Sequence, residues 1–273
     1  MLSRNEPARS HGRNRAGERA APYEPGAFCW VGLATSDPAR AKAFYRGLFG
    51  WQSEDLPSGE IGTYTVLRCD DREVAILYRQ TREARAARAA PHWTPYVSVE
   101  DVDASTLRAR ELGGSILREP LDLLDAGRVA AVQDPVGAIV SLFQPGSRIG
   151  AELVNDVGAL CWHELAAADV ERAKSFYGML FGWEYEADSS GHTTIKNAGG
   201  RIGTMREGSG RGRGVTASCW TPYFGVESAR GAQHKAEQTK ARTLTALADS
   251  PIGRSALLAD PQGAAFAVLE QTG

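Results

Sequence analysis

The stretch FCWVGLATSDPARAKAFYRGLFGW, residues 28–51, returns as LCWHELAAADVERAKSFYGMLFGW at residues 160–183. Two more blocks repeat in the same order: WTPYVSVEDVDAS from Trp93 returns as WTPYFGVESARGA from Trp220, and Asp134-Pro-Val-Gly-Ala returns as Asp260-Pro-Gln-Gly-Ala. Chance similarity would not keep order and spacing together, so the chain is a tandem duplication. Each first block opens as an alternating strand, Trp30 to Thr35, after which Ser36 or Asp37 caps a helix with Pro38 in its first turn, where the missing N–H costs nothing. Ala41, Phe44, Tyr45 and Leu48 recur at helical spacing and form one apolar stripe, and Gly50 ends the helix before Trp51. The second copy places Asp169, Ala173, Phe176, Tyr177, Leu180 and Gly182 in the same roles.

Working outward, Tyr64 to Arg68 and Val74 to Tyr78 read as strands around the turn residues Asp70 and Asp71. Tyr96 to Val99 leads into a helix from Asp101 to Leu112, closed by Gly113 and Gly114; Arg128 to Gln133 and Ala138 to Phe143 then flank an Asp-Pro-x-Gly turn. The order is strand, helix, several strands, twice over. The expected division is a disordered tail over residues 1–26, a first domain over 27–145, a linker over 146–158 and a second domain over 159–273.

The 273 residues are 42% hydrophobic and 23% charged with a formal net charge of -2, an ordinary globular composition. Nothing in it favours nucleic acid or an anionic membrane, and small molecules are the expected partners. No apolar run approaches the ~18–20 residues of a membrane span, and the N-terminus lacks the apolar core of a secretory signal, so a cytoplasmic location is expected. Cys29, Cys69, Cys161 and Cys219 are widely spaced and read as small buried thiols in a reducing compartment.

On these blocks, the helix ending in Phe-Tyr-x-x-Leu-Phe-Gly-Trp together with the closing Asp-Pro-x-Gly, the chain resembles the vicinal-oxygen-chelate superfamily of glyoxalases, bleomycin-resistance proteins and extradiol dioxygenases, over roughly residues 27–270. The resemblance implies an α+β fold in which four βαβββ modules pair into two glyoxalase-like half-barrel domains, each curved around a cavity. Metal-dependent members carry His, Gln or Glu on the first strand of each module and Glu on a late strand. Counted onto this chain, the first-strand places fall on Trp30, Thr94, Trp162 and Thr221, and the late-strand places on Ser141 and Ala267. Indoles, hydroxyls and a methyl make no site for a divalent ion that must chelate two substrate oxygens, so neither metal nor other cofactor is expected. His163 and Glu164 lie beside the right place, but alternation points them to opposite faces, with Glu164 beside Trp162 in the cavity and His163 toward the helices or solvent. His92, His192 and His234 read as surface residues, and Trp51, Trp93, Trp183 and Trp220 as packing anchors.

Strand parity makes Trp30, Gly32, Ala34, Thr94, Tyr96, Ser98, Ser141 and Phe143 the lining of one cavity. Trp162, Glu164, Ala166, Thr221, Tyr223, Gly225, Ala267 and Leu269 line the other. Aromatic faces with a few hydroxyls suit a small planar or aromatic molecule stacked on Trp30 or Trp162, and Gly32 should leave the first cavity roomier. Gly208 to Gly214 reads as a flexible loop, able to lie over a cavity and bring Arg211 and Arg213 to an anionic ligand. There is no nucleophile elbow, P-loop or dinucleotide fingerprint. The resulting expectation is a metal-independent binding protein like the drug-sequestering branch of the family. Sequestration, resistance or an accessory role in biosynthesis would follow, as a monomer or homodimer and with a biosynthetic enzyme as a candidate partner. The alternative is a glyoxalase-, dioxygenase- or hydroxylase-type enzyme with Glu164 as acid or base, its pKa raised by an apolar cleft.

Overall fold

A computed structural model describes residues 22–58, 62–187, 191–208 and 218–271. The first module is β1 (Phe28–Thr35), α1 (Pro38–Phe49), β2 (Gln52–Pro57), β3 (Thr63–Cys69) and β4 (Arg72–Arg79). A short α2 (Arg82–Ala86) leads to the second module: β5 (His92–Ser98), α3 (Val102–Glu111), β6 (Ser115–Asp122), β7 (Gly127–Gln133) and β8 (Ile139–Pro145). The third is β9 (Leu160–Ala167), α4 (Val170–Phe181), β10 (Glu184–Ala187), β11 (Thr193–Asn197) and β12 (Gly200–Glu207). The fourth is β13 (Cys219–Gly225), α5 (Ala229–Gln238), β14 (Arg242–Ser250), β15 (Gly253–Ala259) and β16 (Ala265–Glu270). Local chemistry sets the helix ends. The Asp37 and Asp169 carboxylates accept from the Arg40 and Arg172 N–H groups at the start of α1 and α4, and Gly50 and Gly182 close those helices at φ 78° and 74°, where a Cβ would be strained.

Modules pair by sequence order into two eight-stranded half-barrel sheets, β2-β3-β4-β1-β5-β8-β7-β6 and β10-β11-β12-β9-β13-β16-β15-β14. β1 and β5 run antiparallel at the centre of one, β9 and β13 at the centre of the other. One side of each sheet carries its helices, and these sides meet. Val31, Leu33, Phe44 and Tyr45 share a core with Phe224, Phe266 and Val268, while Val97, Val140 and Leu142 share one with Phe176, Tyr177 and Trp183. Both helix-bearing faces are therefore buried against the other half, and the two concave faces look outward in opposite directions.

The repeated blocks hold this junction together. The Tyr45 hydroxyl on α1 donates to Asp260 Oδ2 of the second half at 3.2 Å and accepts from the Trp93 indole at 3.0 Å, all three side chains being buried. Symmetrically, the Trp220 indole donates to the Tyr177 hydroxyl at 3.0 Å, and that hydroxyl faces Asp134 of the first half. Burial raises the pKa of both aspartates. The indoles that follow α1 and α4 pin the entry to the opposite half: Trp51 donates to the Gly158 carbonyl and Trp183 to the Gly26 carbonyl, each at 2.7 Å. Tyr45→Phe strands a buried carboxylate oxygen and an indole N–H, so it should cost about 1–3 kcal/mol. Thermal melting of this variant should fall by several degrees; an unchanged midpoint would deny the clamp its role.

Two boundaries differ from the sequence reading. Pro22 to Gly26, grouped there with the tail, are docked: the Tyr23 hydroxyl donates to the Ala151 carbonyl at 2.7 Å and Gly26 N–H to Ser98 at 2.8 Å. Residues 1–21 lie outside the described residues. The 146–158 stretch is laced to both halves through Ala151 to Cys29, Glu152 to Glu73 and Gly158 to Gly225.

Candidate functional site

The predicted lining residues share a face in each half, as the cross-strand pairs record. Trp30 opposes Tyr96, Gly32 opposes Thr94, and Tyr96 lies beside Ser141 in the first half. Trp162 opposes Tyr223, Glu164 opposes Thr221, and Tyr223 lies beside Ala267 in the second. Equal placement gives unequal surfaces.

The first concave face is filled. Trp30 is 0% exposed, packed 5.8 Å from Phe143 and 6.3 Å from Tyr96 between ring centres. The room expected over Gly32 is taken by Tyr96 and Tyr78, whose ring atoms would stand 2.8 and 3.2 Å from an added Cβ. The Tyr96 hydroxyl meets Ser141 and Tyr78, and Tyr78 meets Thr94, so the polar groups here satisfy one another. Thr94, Tyr96, Ser98, Ser141 and Phe143 are all buried. Trp30 therefore offers no free ring face, and the expectation that a ligand stacks on it is corrected: it is a core residue. Its indole N–H has no partner, and Ile76, opposite Gly32 on β4 and in the same apolar cluster, offers none.

The second face keeps partial exposure along β9 where the first is buried, and two positions on the neighbouring strand explain the difference. Thr204 on β12 stands where Ile76 does in the first half, and its hydroxyl accepts from the Trp162 indole at 3.2 Å. Arg206 stands where Tyr78 does, and instead of a ring lying over glycine its guanidinium Nε donates to Glu164 Oε1 at 2.7 Å. Along β9, Leu160, His163 and Leu165 are buried, whereas Trp162, Glu164 and Ala166 keep partial exposure. Glu164 is 15% and Arg206 34% exposed. Tyr223 completes the cluster beside Glu164; burial first, then that carboxylate's charge, pushes its hydroxyl pKa up. Leu269 and Ala267 form the apolar floor. The apolar cleft expected around Glu164 is thus replaced by an ion pair, and Arg206 is the functional candidate that sequence reasoning missed. Applying the same parity to β12 would have shown it.

The donor set does not fit a divalent cation. Trp30, Thr94, Ser141, Trp162, Thr221 and Ala267 supply no imidazole or carboxylate, Glu164 is engaged by Arg206, and among the described residues no three His, Cys, Asp or Glu side chains gather. His163 points away from the cavity, 4.1 Å from the Phe28 ring and 6.3 Å from that of Trp220, and burial lowers its pKa to about 3. His92 bonds the Ala90 carbonyl and His234 bonds Gln238, both in exposed settings. Cys29 and Cys161 are buried thiols as expected, but Cys69 and Cys219 are only half-buried. Of the glycine-rich stretch, Gly208 alone is described; Arg211 and Arg213 lie outside the described residues.

A cleft of about 850 Å³ lies in neither row of predicted residues but at the rim of the first half, between Leu56, Tyr64, Leu123 and the 146–152 segment. Its charged wall is already paired: buried Glu73 is gripped by Arg68 at 3.0 Å and by Arg148. Volume alone does not make it the better candidate, because the second concave face combines an accessible indole with a half-buried ion pair.

Residues 27–142 match the family model described as Glyoxalase/Bleomycin resistance protein/Dioxygenase superfamily. CFP32 of Mycobacterium tuberculosis, whose name marks it as an unconfirmed glyoxylase, is 34% identical over 254 residues, 91% of this chain and 96% of that protein. The anthracycline biosynthesis protein DnrV of Streptomyces peucetius is 31% identical over 263 residues, 91% of this chain and 94% of the other. Among solved structures, the Mn(II)-bound glyoxalase from Novosphingobium aromaticivorans superposes with a TM-score of 0.61 at 14% identity, covering 91% of this chain and 85% of that one. At that identity the likeness concerns the fold alone. No described helix is long and apolar enough to cross a membrane.

Proposed function

The chain belongs to the glyoxalase, bleomycin-resistance and dioxygenase superfamily, and from that premise we propose that it is a metal-independent small-molecule binding protein whose second half holds a planar ligand against Trp162. One observation carries the reading: the partly exposed Trp162 face lies beside the Glu164–Arg206 pair, while the places that would hold a cation carry indole, hydroxyl and methyl groups. An indole fixed through Thr204 is a ready stacking platform, and the apolar floor of Ala267 and Leu269 removes water from beneath it. DnrV and its Streptomyces relative DauV are named for anthracycline biosynthesis. A planar polycyclic natural product is therefore the ligand class proposed here, with sequestration or an accessory role beside a biosynthetic enzyme as the physiological use.

The enzymatic alternative, Glu164 as acid or base, draws on its half-buried place beside Tyr223. Arg206 holds Oε1 of that carboxylate at 2.7 Å, so Oε2 is the oxygen left to take a proton from a substrate. Binding requires no proton transfer at all.

Titrating the purified protein with hydroxylated anthraquinones should quench tryptophan emission saturably at one site per chain, with no stoichiometric transition metal in the same preparation. Stoichiometric zinc, iron, manganese or nickel would overturn the reading. Trp162→Ala should weaken binding by about 1–3 kcal/mol, the range for stacking of a flat ring on an aromatic side chain. An affinity equal to wild type would remove Trp162 from the site.

A further inference from the structure

Resting on the binding reading, we infer that the Glu164–Arg206 pair makes the second cavity selective for uncharged planar ligands, which present an acceptor oxygen to Nη2 of Arg206, a group that no described residue engages. Few polar atoms face that cavity with hydrogen-bonding capacity to spare. Trp162 has spent its only donor on Thr204 at 3.2 Å, so its ring contributes a face and nothing else. Tyr223 turns its hydroxyl to Glu164, whose charge helps keep that proton in place. Arg206 gives Nε to Glu164 at 2.7 Å and Nη1 to the Glu207 carbonyl at 3.3 Å, and among the described residues nothing takes Nη2. Thr221, opposite Glu164 on β13, is buried, and Ala166, Ala267 and Leu269 add no polar side chain.

The capacity left among the described residues is therefore three guanidinium N–H donors, one on Nη1 and two on Nη2, on a cation whose charge is already matched. An oxygen acceptor without charge, such as a quinone or aryl ketone carbonyl, satisfies those donors and leaves the half-buried site neutral. A carboxylate would leave one uncompensated negative charge beside Glu164, and an ammonium group one positive charge beside Arg206; both are costly where solvent is partly excluded. Glu164 acts here as a specificity residue, by cancelling a charge that would otherwise attract anions. The first half lacks the device, having Gly32 and Tyr78 at the corresponding positions.

The test compares two probes, a dihydroxyanthraquinone and its monocarboxylate, by tryptophan quenching at a pH where the phenols keep their protons. Wild type should favour the uncharged probe by about tenfold or more, as expected for one unit charge a few ångströms away in a half-buried setting. Glu164→Gln removes the compensating charge, so the carboxylate should bind at least as well as the uncharged probe, and that gain should shrink with added salt. Arg206→Met provides a second arm: the uncharged probe should weaken, and discrimination against the carboxylate should increase. If both probes bind and their affinity ratio is the same in wild type, Glu164→Gln and Arg206→Met, charge compensation is wrong and the binding reading survives. If neither probe quenches wild type, the binding reading fails and takes this inference with it.

Discussion

Trp30→Ala is expected to destabilise the protein by about 3–5 kcal/mol, the cost of emptying a large aromatic site from a packed core. Trp30 is 0% exposed and sits among Val66, Ile76, Tyr96, Val129 and Phe143, so no neighbour is free to move into the space without leaving its own contacts. The unpartnered indole N–H reduces the loss, since its burial is itself unfavourable, but by less than the packing it accompanies. Urea unfolding should show a lower midpoint at an unchanged slope. Affinity for a planar ligand should stay at the wild-type value, because the second cavity opens on the opposite side of the shared core. Lost affinity with intact stability would mean that Trp30 lines a ligand site and the first half is not filled.

The second large effect concerns acid. His163 has a pKa of about 3 in the fold against 6.5 ordinarily, because burial disfavours the imidazolium and its Nε2 has no partner. Below ~6.5 the unfolded chain takes a proton that the folded chain refuses, so stability falls as pH drops from there toward the folded value, by several kcal/mol in order of magnitude. Asp134 and Asp260 work the other way: their raised folded values mean that the native state binds protons more readily, a contribution present in acid and lost as pH rises through those values. The difference between wild type and His163→Leu isolates the histidine. The variant should lose less stability than wild type between neutral and mildly acid pH in urea titrations. Parallel curves would show that the imidazole is not held neutral against Phe28 and Trp220.

The sequence carried the architecture well where backbone chemistry is explicit. The glycine-closed helices, the Asp70–Asp71 turn with both residues at positive φ and the Asp-Pro-x-Gly turns all stand where read. The edge strands β2, β6, β10 and β14 carry no clear sequence signal, because charged segments such as QSEDLP and SILREPLD blunt an exposed edge and lack clean alternation. Strand parity also put the lining residues of each half on one face. What parity could not tell is whether that face is full. The answer lies on the neighbouring strand, joined through a helix and a hairpin: Ile76 or Thr204 opposite Gly32 or Glu164, and Tyr78 or Arg206 opposite Ala34 or Ala166. Equivalent indoles thus become a core residue in one half and a half-open surface in the other.

The most direct test is a crystal structure of the protein soaked with a dihydroxyanthraquinone. The ring system should lie on the Trp162 indole with a carbonyl oxygen within hydrogen-bonding distance of Arg206 Nη2, and the first half should keep Tyr96 and Tyr78 packed over Gly32. A ligand seated on Trp30, or one chelated to a metal ion in either half, would contradict this.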